Sequence, residues 1–442
     1  MPRAVAALPF APKHLTCSIR LTVKRPPCTA MGHPAPGALS STYRKRKETR
    51  MTHITKKFWM GLAAGVCLVT GSAAVAQDTT GITKDSIKLG IFGPMTGSAA
   101  LFGKAVFGVE AVFKEVNDKG GIHGRKIELV REDTACDPSR GLAAYKKLVS
   151  QERVFAMNGG LCSNVMMAIK GEIEKSKVPV VVIGAASPRI SDPLVANLFQ
   201  PVATTDEIGK TVIDYAMSRP DTTKIAFVSH SDDWGKSNRD PAVAYLKEKF
   251  KLDPVADLTM ERGSSDATPQ ILRLRNSGAQ FVVLMMYPAE VAIFMRDAYK
   301  YGLKIPVLGP QSISLEDTRD RVGGLAAVRD MAVYYPYAKP LHSPEMQKWG
   351  DLIKKYYPSE RVESFSFLGM SGAYALVQAL QDAGPDLTRE KLITALDNIK
   401  NFDSGISSAP VTFSPENHAG IHGGAMAKFR GNDIVVVKTW EK

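Results

Sequence analysis

The chain has 442 residues, and its formal net charge is +13. Residues 1–76 hold 12 Lys and Arg but only one acid, so residues 77–442 have a net charge of only +2. The apparent basic character therefore comes from the N-terminal segment, and the main support for nucleic-acid binding is lost. The remaining 366 residues are enough for two domains.

The first pattern along the chain is a secretory signal that begins about fifty residues from the N-terminus. Lys56 and Lys57 precede an apolar run of 12 residues, 58–69, and Ala74 and Ala76 supply the small-x-small pattern of a signal peptidase site. This order is typical of a signal peptide, and the apolar run is too short to span a bilayer. We expect Met51 to be the true start, residues 51–76 to be removed, and Gln77 to begin the mature protein in the periplasm.

Residues 1–50 precede this signal and show no periodicity. They are rich in Pro and Ala and contain a basic cluster at residues 44–47. The favoured interpretation is an upstream in-frame stretch that is not part of the native protein; a real, disordered basic extension is the alternative.

The rest of the chain alternates short apolar β-branched runs with amphipathic stretches. The apolar runs lack a two-residue period, which is typical of strands covered on both faces, and the amphipathic stretches have helical spacing. The predicted strands are 87–92, 126–131, 154–158, 178–183, 224–229, 281–286, 307–309 and 433–439. The predicted helices are 103–118, 140–151, 164–175, 241–250, 268–277, 289–301, 343–357, 365–383 and 388–399. This alternation predicts an α/β fold with parallel sheets in two lobes.

Two of the five cysteines, Cys136 and Cys162, remain after the predicted cleavage. An even number in an oxidising compartment favours a disulfide, and two separate buried thiols are the alternative.

No enzymatic signature is present. The sequence has no phosphate-binding loop, no dinucleotide fingerprint, no nucleophile elbow and no His-Glu-x-x-His motif. His418 and His422 lie close together in a Gly-rich stretch, where solvent exposure is favoured over a metal site. We therefore expect no catalytic residues, no metal and no cofactor.

Several residues that follow predicted strands are suited to binding. Ser163 is predicted to cap a helix after residues 154–158, where free N–H groups favour a carboxylate; an ordinary cap without ligand is the alternative. The small residues 184–188 follow another strand and permit close approach of a ligand, although a simple tight turn is equally compatible. Phe102, Trp234 and Tyr287 lie in predicted loops after strands, where they could form the walls of a pocket.

The chain from about residue 85 resembles the solute-binding proteins of ABC importers of the branched-chain amino-acid type, with the type I periplasmic binding protein fold. The resemblance rests on the segments 87–97, 117–125, 133–138 and 160–163. It implies two Rossmann-like lobes joined by a multi-strand hinge, with residues 77–205 and 335–420 in lobe 1 and 206–334 and 421–442 in lobe 2. It also implies a disulfide between Cys136 and Cys162.

The resemblance further implies a ligand site. The ligand carboxylate is expected at Ser163 and at Ala185, Ala186 and Ser187. The ligand side chain is expected to be enclosed by Phe102, Trp234 and Tyr287.

Two residues depart from the amino-acid binders of this family. Those binders typically have Thr where Ala186 stands and Glu where Gln311 stands, and both positions touch the part of the site that holds an α-ammonium. Since a buried ammonium without a carboxylate is costly, the ligand is predicted to be a hydrophobic or aromatic acid. The alternative is a branched-chain amino acid whose ammonium is held by Asp232, Asp233 or Glu290.

The expected partners are a membrane permease and its ATPase, with the binding protein acting as a monomer. A ligand-sensing receptor or regulator domain on the same fold is the alternative function, and the secretion signal argues against it.

Overall fold

The computed structural model describes Asp78–Gly97 and Ala99–Glu441. Residues 1–50 and the predicted signal peptide lie outside the described residues. In the described part, no helix is both long enough and apolar enough to cross a membrane.

The first lobe is built on a six-stranded parallel sheet. Its strand order is β11-β5-β4-β3-β1-β2, and Leu89 of β1 pairs with Ala156 of β3. The strands are β1 (Ser86–Gly93), β2 (Lys126–Asp133), β3 (Ala156–Gly159), β4 (Val180–Val182), β5 (Leu198–Ala203) and β11 (Ala419–Ile421). The helices are α1 (Lys104–Asp118), α2 (Pro138–Ser150), α3 (Ser163–Ser176), α9 (Pro344–Tyr356), α10 (Met370–Asp382) and α11 (Arg389–Asp397).

The second lobe is built on a seven-stranded sheet of order β13-β12-β10-β9-β8-β6-β7. The strands are β6 (Ile225–Ser229), β7 (Ala256–Thr259), β8 (Phe281–Met285), β9 (Val307–Gly309), β10 (Met331–Tyr335), β12 (Gly423–Arg430) and β13 (Asp433–Glu441). The helices are α4 (Thr205–Met217), α5 (Asp233–Phe250), α6 (Thr268–Ser277), α7 (Pro288–Lys300) and α8 (Leu315–Val322). β12 runs antiparallel to both of its neighbours, and the other strand pairs are parallel.

The described chain passes between the two sheets three times, after β5, β10 and β11. The predicted α/β class, with two parallel-stranded lobes and a multi-strand connection, is confirmed. Apolar strands fill the cores because helices cover both faces of each sheet, and the five residues of β8, for example, are all buried. The residue bounds predicted for the lobes stay a prediction.

Several predicted elements were wrong in extent. α5 begins at Asp233 and carries Pro241 inside it, whereas the prediction began the helix at Pro241. The helix predicted over 365–383 is divided into a short 3-10 turn, Ser364–Phe367, and α10. The prediction also missed β5, β7, β10, β11 and β12 together with α4 and α8.

Candidate functional site

A cavity of about 50 Å³ lies between the two sheets, and residues of both lobes line it. The residues around this interlobe cavity are Phe102, Cys136, Leu161, Cys162, Ser163, Gly184, Ala186, Thr205, Trp234, Asn238, Tyr287, Gln311, Ser312, Phe365 and Leu368. None of these described residues carries a formal charge. The cavity therefore offers uncharged hydrogen-bonding groups and apolar surface.

One wall of the interlobe cavity is the start of α3. Cys162 occupies the N-cap position, so the prediction that Ser163 is the cap was wrong, and Ser163 is instead the first helical residue. The Ser163 hydroxyl accepts a hydrogen bond from the backbone N–H of Ser187 at 3.3 Å. The first turn of a helix has N–H groups without partners in the helix, and it favours negative charge.

The disulfide fixes this wall to the loop that follows β2. Cys136 and Cys162 are bonded, with their Cα atoms 5.6 Å apart, as predicted. Asn164 adds a side-chain hydrogen bond to the carbonyl of Cys136 at 2.9 Å. The start of α3 is thereby tied to the loop that follows β2.

The loop after β4 contributes Gly184 and Ala186 to the cavity. A Cβ atom at Gly184 would lie 2.7 Å from the Leu368 side chain, so a larger residue here would push that leucine aside. Ala185 and Ser187 are buried but do not line the cavity, although both were predicted site residues. Their carbonyl groups accept hydrogen bonds from the Gln200 amide at 2.8 and 3.1 Å, which holds the loop in place.

Aromatic side chains from both lobes meet across the cavity. The Phe102 ring lies 4.7 Å from Phe365 and 5.8 Å from Tyr287, and Tyr287 lies 4.3 Å from Trp234, measured between ring centroids. Phe102 precedes α1 of the first lobe, whereas Tyr287 and Trp234 lie at the starts of α7 and α5 of the second. Trp234 was predicted in a loop, but it is in the first turn of α5.

A buried histidine supports the aromatic wall on the second lobe. His230 is 1% exposed; its Nε2 accepts from the backbone N–H of Tyr287 at 3.0 Å, and its Nδ1 lies 2.9 Å from the carbonyl of Met260. A nitrogen that accepts from an N–H carries no proton, so this geometry assigns the proton to Nδ1. His230 thus holds the backbone of Tyr287 in place through this hydrogen bond.

Charged groups near the aromatic wall are engaged with protein partners. Arg262 forms an ion pair with Asp232 and lies over the Tyr287 ring at 4.3 Å. Asp232 also caps α5 by accepting from Gly235 at 2.9 Å. Burial raises the pKa of Tyr287, although Arg262 acts in the opposite direction, so the phenol is neutral at pH 7.

Two hydroxyl groups in the cavity have no hydrogen-bond partner. Thr205 and Ser312 are 3% and 9% exposed, and in the described structure neither Oγ1 of Thr205 nor Oγ of Ser312 is bonded. Sequence reasoning missed both. Ser312 directly follows Gln311, and Thr205 opens α4 just after the strand β5 that the prediction missed.

No metal centre is present within the described ranges, since no group of three or more His, Cys, Asp or Glu could hold an ion there. The expectation of an exposed His418 was wrong. His418 is 1% exposed, and its ring nitrogens lie 2.9 Å from the Leu198 carbonyl and from Asp397. Its role is therefore to join β5 to the end of α11.

Comparisons with known proteins agree with this architecture. Residues 86–433 match the family described as periplasmic binding protein. The Leu/Ile/Val-binding protein of Escherichia coli is 26% identical over 251 residues, which are 57% of this chain and 68% of that protein.

Two solved structures share the fold. A branched-chain amino-acid ABC transporter protein from Thermus thermophilus, solved with bound valine, has a TM-score of 0.73 at 20% identity and covers 82% of this chain and 98% of its own. A solute-binding protein of an R. palustris ABC transporter, solved with 4-hydroxybenzoate, has a TM-score of 0.70 at 21% identity and covers 81% of this chain and 97% of its own.

Proposed function

The chain belongs to the periplasmic binding protein family, and from this premise we propose that it captures a small carboxylate between its two lobes and delivers it to an ABC permease. Members of this family bind small ligands and are not enzymes. The proposed location is the periplasm, the proposed partners are an inner-membrane permease and its ATPase, and the proposed form is a monomer.

One observation carries the proposal for an anionic ligand: four helices begin at the interlobe cavity. Ser163 and Thr205 are the first residues of α3 and α4, Trp234 is the second residue of α5, and Tyr287 is the N-cap of α7. All four residues line the cavity. Because helix N-termini carry partial positive charge and N–H groups without partners in the helix, these helix starts suit a carboxylate even though the described lining has no Lys or Arg.

The same lining disfavours an α-ammonium group. Gln311 and Ala186 stand where amino-acid binders of the family typically have Glu and Thr, and both line the cavity. A buried ammonium without a carboxylate partner is costly by several kcal/mol. The ligand we propose is therefore a hydrophobic or aromatic acid without that group.

The three acidic residues that could replace the missing glutamate are bonded to other protein groups or exposed to solvent. Asp232 caps α5 and pairs with Arg262, Glu290 is buried and accepts from the Gly263 N–H at 2.8 Å, and Asp233 is exposed. None of the three lines the cavity. Binding of a branched-chain amino acid, the competing proposal, would require one of them to leave its present partner or position.

Both ligand classes have precedents in the fold. The T. thermophilus neighbour was solved with valine and the R. palustris neighbour with 4-hydroxybenzoate. 4-Hydroxybenzoate and a branched-chain amino acid are therefore suitable probes for the two proposals.

Capture requires the lobes to move. The cavity of about 50 Å³ is far smaller than the several hundred Å³ of typical small-molecule sites, and Phe102 of one lobe contacts Tyr287 of the other. We propose that the lobes hinge about the three connections to admit the ligand and then close, which is a common mode of domain motion. The closed form would be the one that docks on the permease.

Isothermal titration of the chain from Gln77 onward against 4-hydroxybenzoate and leucine tests the proposal. We expect 4-hydroxybenzoate to bind and leucine to bind weakly or not at all. Tight binding of leucine alone would contradict the acid proposal.

A variant tests the position of the carboxylate. Ser163→Ala should weaken carboxylate binding by about 10- to 100-fold, because a hydrogen bond to a charged group is lost. Ser218→Ala, which removes an exposed hydroxyl at the end of α4, is the matched control and should bind normally. Unchanged affinity of Ser163→Ala would place the carboxylate elsewhere.

A further inference from the structure

The two unbonded hydroxyls in the interlobe cavity require an explanation. Oγ1 of Thr205 and Oγ of Ser312 are buried and have no hydrogen-bond partner in the described structure. Most buried polar side-chain atoms in proteins are bonded, and each exception has a free-energy cost. Two such hydroxyls at one cavity therefore indicate that a ligand supplies the missing partner.

The positions of these hydroxyls indicate which part of the ligand they would meet. The backbone N–H of Thr205 donates to the carbonyl of Ala186 at 2.7 Å, so Thr205 directly adjoins the loop expected to hold the carboxylate. Ser312 follows Gln311 in the loop between β9 and α8, which belongs to the second lobe, as α4 does. The cavity thus presents Thr205 beside the proposed carboxylate position, with Gln311 and Ser312 in a separate loop of the same lobe.

The chemistry of these groups favours an uncharged partner. A hydroxyl and an amide can each donate and accept a hydrogen bond, but none of them compensates a full charge. An ammonium or a second carboxylate would remain buried without an opposite charge, whereas a hydroxyl or ketone oxygen would be fully satisfied.

Resting on the proposed function, we propose that the ligand is a 2-hydroxy or 2-oxo carboxylate, with the oxygen on the carbon next to the carboxylate bound by Thr205 and Ser312. Thr205 supplies a hydroxyl beside Ala186, which has none. Gln311 supplies a neutral amide at the same end of the ligand.

The test is isothermal titration with ligands that differ only at that carbon. The first set is 4-methylpentanoate, 2-hydroxy-4-methylpentanoate, 4-methyl-2-oxopentanoate and leucine, and the second set is 3-phenylpropanoate with its 2-hydroxy, 2-oxo and 2-amino derivatives. In at least one set, the hydroxy or oxo acid should bind at least about 10-fold more tightly than both the plain acid and the amino acid, since the plain acid leaves the buried hydroxyls unpaired.

The outcomes separate this inference from the proposed function. Equal binding of plain and oxygenated acids would overturn the inference and leave carboxylate capture intact. Tightest binding of an amino acid would overturn the inference together with the proposal of a ligand without an ammonium, and would leave carboxylate capture intact. Binding of none of these acids, nor of 4-hydroxybenzoate, would overturn the proposed function itself, and the inference with it.

Variants assign the preference to the two hydroxyls. Thr205→Val preserves shape without the hydroxyl, and Ser312→Ala removes the other; each should lower the affinity for the oxygenated acid by a larger factor than the affinity for the plain acid, and so reduce the preference. Thr205→Ser retains a hydroxyl and should retain the preference. An equal loss for both acids in Thr205→Val, with an unchanged melting temperature, would show that Thr205 only shapes the cavity and would refute its assignment.

Discussion

The disulfide provides a quantitative test of how the cavity wall is held. Replacing Cys136 and Cys162 by Ser opens a loop whose ends are 26 residues apart in sequence. The loop-closure relation gives a loss of about 3.5 kcal/mol in the free energy of unfolding for a loop of this size. With an unfolding entropy of about 2.1 cal/mol/K for each of roughly 360 described residues, the expected fall in melting temperature is about 5 °C.

The effect should extend to ligand binding, because both cysteines line the cavity and Cys162 is the N-cap of α3. We expect the double variant to bind the carboxylate ligand more weakly as well as to unfold earlier.

Urea unfolding and calorimetry of the wild type and the double variant measure the change, each with and without a reducing agent. Reduction should destabilise the wild type by about the same amount as the substitutions and leave the variant unaffected. If the oxidised wild type and the variant had equal unfolding free energies, the reasoning from loop closure would be refuted.

Three further substitutions test the proposed ligand charge and the charged groups that stabilise the fold. Gln311→Glu should weaken 4-hydroxybenzoate binding by at least about 10-fold through charge repulsion and improve leucine binding; titration that shows neither change would place residue 311 away from the ligand. Burial acts to raise the pKa of Asp133, but hydrogen bonds from Thr96 and from backbone N–H groups outweigh burial and lower that pKa below 3.8. The stabilisation that the ionised Asp133 gives the folded state is therefore complete at pH 7 and is lost as the pH falls below 3.8. Asp133→Asn should therefore lower the free energy of unfolding by about 2 kcal/mol at pH 7. Urea unfolding at several pH values should also show that the variant loses less stability on acidification than the wild type; an equal loss would contradict this. Arg389→Met should destabilise by about 3 kcal/mol in the same assay, because it leaves the carbonyls of Val154 and Phe155 without their hydrogen bonds from the buried Arg389 side chain; an effect below about 1 kcal/mol would refute that estimate.

The sequence predicted the fold wherever a strand was continuously apolar. The runs at β4 and β8 stand out because a strand covered on both faces has no polar position. β5 contains Gln200 and Pro201, and β12 begins with two glycines and contains Lys428, so neither matches the composition of a central strand. These strands form because tertiary pairing overrides weak local preference.

The site was predictable where a residue follows a recognisable strand or motif. Ser163, Ala186, Trp234 and Tyr287 could be located in this way. Thr205 was missed because the strand before it was missed. Ala185 and Ser187 were assigned to the ligand by resemblance, and that assignment stays a prediction. Hydrogen bonds from Gln200 hold their carbonyls, and Gln200 lies in β5, a strand that the sequence did not predict.

The departures at Ala186 and Gln311 are best understood together with the helix starts and Thr205. Four helix N-termini favour one negative charge in the cavity, and no described lining residue offers a second one to balance an ammonium. Glu in place of Gln311 would supply that balance for a zwitterion, but for a simple acid it would repel the ligand. On the ligand we propose, Gln311 with Thr205 would instead give a neutral polar end beside the carboxylate, and the two departures would amount to one change in specificity, from an ammonium to an uncharged oxygen.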